Sequence, residues 1–275
     1  DHMIDISVTD LVKSFDLEKK ILDGLTFQIN SGERVGLLGK NGMGKSTMLY
    51  LISGLLQPSG GTVKVDGMEA RLRQAEMLQE IFLVPEEFEL PRTTLDEYVR
   101  MNEPFYPRFS REVLQNCLNE FELPLTLRLN ALSMGQKKKV YMSFALAAGT
   151  RLLLMDEPTN GLDIPSKSQF RKVVANNMTE DRTLIISTHQ VHDVESLLDH
   201  IVIFDGNGVA LDESVGDVCD KYVFETRRPG EPTDDVIYSE FSIQGNAVMA
   251  RRGSREETPV NLELLFNAVT KGMLK

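Results

Sequence analysis

Eight consecutive residues constrain this chain more than any other stretch. Gly39-Lys40-Asn41-Gly42-Met43-Gly44-Lys45-Ser46 fills every fixed position of the spacing G-x-x-x-x-G-K-[ST], and Thr47 follows it. Ahead of it, residues 34–38 read as an apolar strand after the turn Asn30-Ser31-Gly32. Behind it, residues 45–55 read as a helix stopped by Pro58-Ser59-Gly60-Gly61. Strand, glycine-rich loop and helix in that order make a cradle for an anion. Glycines let successive backbone N–H groups converge, and the helix N-terminus adds partial positive charge. Lys45 supplies a full charge for β- and γ-phosphates, and the Ser46 hydroxyl is a ligand for Mg²⁺. An accidental glycine-rich turn has no reason to carry every fixed position and both flanking elements.

A second segment fits the same chemistry. Leu152-Leu153-Leu154-Met155 reads as a buried strand that ends in Asp156-Glu157. An acid at the carboxyl end of a parallel strand sits in the ligand crevice. Asp156 is expected to hold Mg²⁺ through water, and Glu157 to polarise an attacking water. Two solvated acids at a strand end are the competing reading, and the phosphate loop weighs against it.

Composition sets the outer bounds. With 30 basic and 41 acidic residues the formal charge is −11, which argues against a general nucleic-acid binder because phosphates are repelled. Cys117 and Cys219 are far apart and form no C-x-x-C pair, so no disulfide scaffold is expected, and a reduced cytosolic setting is the simplest reading. No apolar run approaches the ~20 residues that span a bilayer. Asp1 and His2 are expected to be a cloning remnant before a native Met3, with no signal peptide.

Along the chain, residues 4–8, 25–29 and 62–65 read as further strands, as do the continuous apolar runs 81–84, 183–187 and 201–204. Helical periodicity dominates 90–149, which reads as an insertion. Strands alternating with helices imply an α/β core with a largely parallel sheet. From about residue 221 the composition shifts. Residues 236–243 and 247–250 look like a hairpin turning at Gly245-Asn246, and Asn261 can cap a last helix with Leu262, Leu265, Phe266, Val269 and Met273 on one stripe. Residues 221–275 are therefore expected to form a small accessory module. Its apolar stripe must bury somewhere, and a dimer contact or a regulatory role is the expectation.

Leu132-Ser133-Met134-Gly135-Gln136 narrows the class. Here the chain resembles the ATP-binding cassette (ABC) ATPases, whose signature reads L-S-G-G-Q; Met134 stands at the first glycine. Pro158-Thr159-Asn160-Gly161-Leu162-Asp163 is similar to the family's D-loop, and His189, after the 183–187 strand, to its switch histidine. Phe15 lies where the family places an aromatic ring under adenine. The resemblance covers residues 4–211, some three quarters of the chain. It implies a P-loop NTPase core of RecA type with an antiparallel β subdomain, the inserted helical subdomain and a small C-terminal α+β extension, divided as 3–220 and 221–275.

The resemblance also implies a head-to-tail dimer that sandwiches two ATP. Each site would use residues 39–47, Asp156, Glu157 and His189 of one chain, with Ser133, Met134, Gly135, Gln136 and Asp163 from the other. His189 would sense the γ-phosphate, donating one hydrogen bond to it and accepting another from the backbone. The family follows the 81–85 stretch with Gln, but here Glu86 and Glu87 stand there. Two readings stay open. Glu86 faces the metal and the γ-phosphate, making Ser46, Asp156 and Glu86 the metal set, or it points to solvent.

The blander readings are specific too. Phe15 is either an adenine platform or core packing beside Leu11 and Val12. His192 is expected on the surface, Cys117 buried on a helix, and Lys137-Lys138-Lys139 on a solvated face with no nucleic-acid role. Two function classes follow. One is the ATPase subunit of a transporter, cytoplasmic and peripheral on the inner face of the membrane, powering a separate permease through the 86–99 region. Its tail looks more like bacterial ABC-2-type exporters. The other is a soluble, non-transport ABC ATPase such as an Fe–S assembly factor. A slow ATP-dependent switch is a third.

Overall fold

The computed structural model describes residues 5–206 and 208–274. The expected remnant Asp1-His2, the start at Met3 and the first residue of the 4–8 strand lie outside the described residues. The chain begins with β1 (Ile6–Ser14), β2 (Lys20–Ile29), β3 (Arg34–Leu38), α1 (Lys45–Ile52), β4 (Gly60–Val65), β5 (Met68–Glu69), α2 (Ala75–Leu78) and β6 (Ile81–Val84). A helical block follows: α3 (Leu95–Asn102), α4 (Arg111–Phe121) and α5 (Met134–Ala148). The core resumes with β7 (Leu152–Asp156), α6 (Ile164–Asn177), β8 (Thr183–Thr188), α7 (Val191–Val194), β9 (His200–Asp205), β10 (Gly208–Ser214) and α8 (Val215–Lys221). Last come β11 (Tyr222–Arg227), β12 (Val236–Ser242), β13 (Gly245–Arg251) and α9 (Leu262–Thr270).

The central sheet has the order β10-β9-β3-β8-β7-β6, parallel except for β10. Its strands are continuous apolar runs because both faces are covered. Side-chain alternation divides them between two cores. Leu153, Met155, Leu184, Ile186, Ile201 and Ile203 face the helical layer. Leu152, Leu154, Ile185, Val202 and Phe204 face α1 and a second, antiparallel sheet of order β2-β1-β4-β5.

The helical block is fixed by local chemistry and by one aromatic cluster. Thr94 and Glu97 form a reciprocal cap at α3, and Ser110 caps α4. α4 buries Leu114, Cys117, Leu118 and Phe121, the spacing of one helical face. Phe144 of α5 meets the rings of Phe82, Tyr98, Tyr106 and Phe109 at 5.9, 5.2, 5.8 and 5.2 Å, tying the block to β6.

Three expectations need correction. The hairpin turns at Ile243-Gln244, not at Gly245-Asn246. Gly245 instead pairs with Ser242 in the ladder at φ 127, where a Cβ would meet the Arg227 carbonyl oxygen at 2.7 Å. Helix α1 ends at Ile52 rather than near residue 55, because the amides of Leu55 and Leu56 both reach back to the Tyr50 carbonyl. The stripe on α9 is covered by its own chain. Leu262, Leu264, Leu265, Ala268 and Val269 join the helical-side core, the Leu262 amide donates to Glu195 Oε1 at 2.6 Å, and Met273 lies exposed beyond the helix. That stripe is not free to make a dimer contact.

Candidate functional site

The phosphate loop closes between β3 and α1. Gly44, the residue before the helix, has φ 91, and a Cβ there would meet Leu22 Cδ2 at 2.6 Å, so only glycine fits. Lys40, Asn41 and Gly42 are exposed, Gly39 is buried, and Met43 rests on the core between α1 and the antiparallel sheet. Lys45 is 5% exposed; its Nζ donates to the Lys40 carbonyl at 3.0 Å and lies 4.0 Å from Glu157 Oε1. Burial pushes its pKa down, against the charges of Glu157, Asp156 and Glu86. Asn41, Gly42, Gly44, Lys45, Ser46 and Thr47 line a cleft of about 170 Å³ together with Phe15, Ile21, Glu86 and Glu157.

Asp156 and Glu157 stand where β7 meets this cleft, both 3% exposed. Asp156 Oδ1 accepts from Ser46 Oγ at 3.0 Å and from Ser187 Oγ at 2.6 Å. Burial raises its pKa, opposed by those two hydroxyls. Glu157 has φ 45, a left-handed backbone that costs a non-glycine residue of order 1–3 kcal/mol. Its Oε2 accepts from Thr188 Oγ1 at 2.9 Å and its Oε1 from the His189 amide at 3.0 Å. His189 Nδ1 also contacts Glu157 Oε1 at 2.9 Å. The expected backbone partner of the His189 ring is therefore replaced by a carboxylate, because Glu157 is held against the end of β8 by Thr188 and the His189 amide.

Glu86 faces the cleft rather than solvent: its Oε1 accepts from Asn160 Nδ2 at 2.9 Å. Ser46 and Asp156 are in direct contact, and Glu86 lines the same cleft. Among the described residues no three His, Cys, Asp or Glu side chains converge as a closed metal site. A hydroxyl and a carboxylate at the mouth of a phosphate loop still fit Mg²⁺, which keeps several waters and takes hard oxygen donors.

Phe15 follows β1 with its ring 61% exposed, so the core-packing alternative fails. Lys13 Nζ lies 5.2 Å from the ring centroid, and Phe15 also borders a groove with Tyr50, Leu55 and Leu56. Ser133, Met134, Gly135, Gln136 and Asp163 are not among the residues lining this cleft. Ser133 caps α5 and is bonded reciprocally to Gln136, whose amide donates to the Ser133 hydroxyl, and Met134 beside it is exposed. Asp163 caps α6, and its hydrogen bond from Ser166 holds its pKa low.

The lysine run is not a solvated face. Lys138 is 3% exposed and donates to the carbonyls of Glu157 and Asn160, Lys137 pairs with Glu89 at 3.4 Å, and Lys139 lies 5.9 Å from the Phe121 ring centroid. His192 is exposed and Cys117 is buried on α4 with its thiol pushed up to about 12 by burial, as expected. Lys138, Asn160, Ser187, Thr188 and Gln190 escaped the sequence reading as members of the site. Ser187-Thr188 was detectable, since two hydroxyls end an otherwise apolar strand.

Known proteins resemble this chain in sequence and in fold. The family model described as ABC transporter matches residues 22–160, half of the 275-residue chain. The chain is 30% identical over 243 residues to the ABC transporter ATP-binding protein NatA of Bacillus subtilis (strain 168), covering 85% of this chain and 95% of NatA. It is 29% identical to the Nod factor export ATP-binding protein I of Rhizobium etli, covering 80% of this chain and 72% of that protein. A solved ATP-binding subunit of an ABC transporter superposes with a TM-score of 0.66 at 27% identity, over 78% of this chain and 91% of that one. The phosphate loop and the acid-ended β7 thus sit in a fold and a sequence that both lead to one family, and this chain belongs to it: it is an ABC transporter ATPase.

Proposed function

We propose that the chain hydrolyses ATP as one of two head-to-tail copies and that closure of the pair drives a separate membrane permease in the direction of export. The observation that carries this reading is the convergence, in one cleft, of Lys45, the Ser46–Asp156 contact and Glu157. Lys45 moves from the Lys40 carbonyl to the β/γ-phosphates, and the loop amides hold the remaining oxygens. Glu157 orients a water for in-line attack. The new P–O bond forms at the γ-phosphorus as the bond to ADP breaks, and the water's proton leaves through Glu157. His189 reports on the γ-phosphate from the other side of Glu157. Ser46 and Asp156, with Glu86 beside them, would hold Mg²⁺, which would neutralise phosphate charge when bound.

The second copy would contribute the N-terminus of α5, with Ser133, Met134, Gly135 and Gln136, and the turn at Asp163. Their position away from their own cleft supports this. Phe15 would carry the adenine. We divide the chain into an ATPase domain over 3–220, with 90–149 as its helical subdomain, and an extension over 221–275. No helix among the described residues is long and apolar enough to cross a membrane. A cytoplasmic, membrane-peripheral placement follows from the permease partner proposed here. The Nod factor relative supports export; import proteins are among the relatives as well, so direction is read in vesicles.

Isolation of the Glu157→Gln chain from its native membranes with MgATP tests the partner. A stoichiometric multi-span protein is expected. Recovery with soluble proteins alone would contradict the permease reading.

A further inference from the structure

Lys138 lies on α5, five residues after the Ser133 cap, yet it is 3% exposed. Its Nζ donates to the Glu157 carbonyl at 2.9 Å and to the Asn160 carbonyl at 2.7 Å. These are the two ends of the turn Glu157-Pro158-Thr159-Asn160, which is closed by the Asn160 amide on the Glu157 carbonyl at 3.2 Å. The turn starts from the left-handed Glu157 and needs something to hold it.

A buried ammonium needs acceptors and a counter-charge. The two carbonyls are the acceptors. Burial pushes the Lys138 pKa down, and Glu86 is the strongest of the charges that push it back, ahead of Glu157 and Asp156. Glu86 grips the same turn from the other side, through Asn160 Nδ2 at 2.9 Å. Asn160 is thus held by its carbonyl from Lys138 and by its side chain from Glu86. Gln190 Nε2, at 3.4 Å from Asn160 Oδ1, connects this clamp to the loop that carries His189.

We propose that Lys138 is a positioning residue for hydrolysis: together with Glu86, which holds the same Asn160, it clamps the 157–160 turn and so fixes where the Glu157 carboxylate points. This rests on the hydrolytic reading of Glu157 given above. Both side chains hold Asn160, Lys138 through its carbonyl and Glu86 through its amide, so loss of either frees the same turn and the two losses do not add.

The test compares K138M, K138Q, E86Q and E86Q/K138Q in the full chain with wild type and E157Q. K138M is expected to lower kcat by about tenfold or more, with KM for ATP and affinity for a fluorescent ATP analogue within about threefold of wild type. Amide exchange across 157–160 is expected to quicken in K138M. E86Q/K138Q should lose clearly less kcat than the product of the two single losses. Wild-type kcat and exchange in K138M, or losses that simply add in the double variant, would overturn the clamp. If K138M does not fold, K138Q and the double variant decide the same question. An inactive E157Q beside an unaffected K138M would overturn the clamp alone, whereas an active E157Q would overturn the reading on which it rests.

Discussion

Phe15 leaves most of its ring in solvent at the edge of a cleft, where a flat base would cover it. Stacking of a base on an aromatic ring is worth roughly 1–3 kcal/mol. Phe15→Ala is therefore expected to weaken ATP binding roughly 5- to 150-fold, with Tm unchanged because no core contact is lost. Equal affinity in a nucleotide titration would take Phe15 out of the site. At this scale the loop residues were legible because each role is bound to a fixed spacing. Gly44 must be glycine, Lys45 must follow it, and Ser46 must reach the acid at the end of β7. Lys138 was not legible. Whether a lysine on a helix is buried depends on carbonyls that a distant turn delivers, and no local pattern encodes them. The His189 ring partner was missed for the same reason, since the hold of Thr188 and the His189 amide on Glu157 is a tertiary feature.

Among the elements, α5 carries the most. It starts with the exposed Ser133 and Met134, holds the 157–160 turn through Lys138 and anchors the helical block through Phe144. Phe144 is 1% exposed and meets four rings. Phe144→Ala is expected to cost about 3–5 kcal/mol by denaturant unfolding. A loss under about 1 kcal/mol would mean the block is held elsewhere. The strands of the central sheet were readable from their apolar runs, because burial on both faces leaves no other residue choice. Strands β10 and β11 were missed, since each lies at a sheet edge: β10 mixes exposed with half-buried residues, and β11 buries Val223, Phe224 and Arg227 without a clean alternation. The last helix was readable from its Asn261 cap, but its burial partner was not: stripes announce that they must be covered, not by what.

For the whole molecule, His200 joins segments far apart in sequence. Its Nε2 contacts Asp212 Oδ1 on β10 at 2.5 Å, and its Nδ1 lies 3.1 Å from Glu33 Oε2 before β3. The Asp212 hydrogen bond raises its pKa, with Glu33, Asp212 and Asp199 adding charge against the opposing effect of burial. A raised folded pKa gives stability that is fully present below the unfolded value of about 6.5 and is lost as pH rises through the folded value. Wild-type Tm should therefore fall across that window, and His200→Gln should flatten the fall. A parallel pH dependence in both proteins would exclude His200 as its source.

The central claim is that this cleft hydrolyses ATP with Glu157 as the residue that directs water. Phosphate release by wild type and Glu157→Gln, with ATP binding titrated on the same samples, tests it most directly. The account predicts release by wild type and a loss of about a hundredfold or more in the variant, at unchanged affinity. Equal release from both proteins would contradict it.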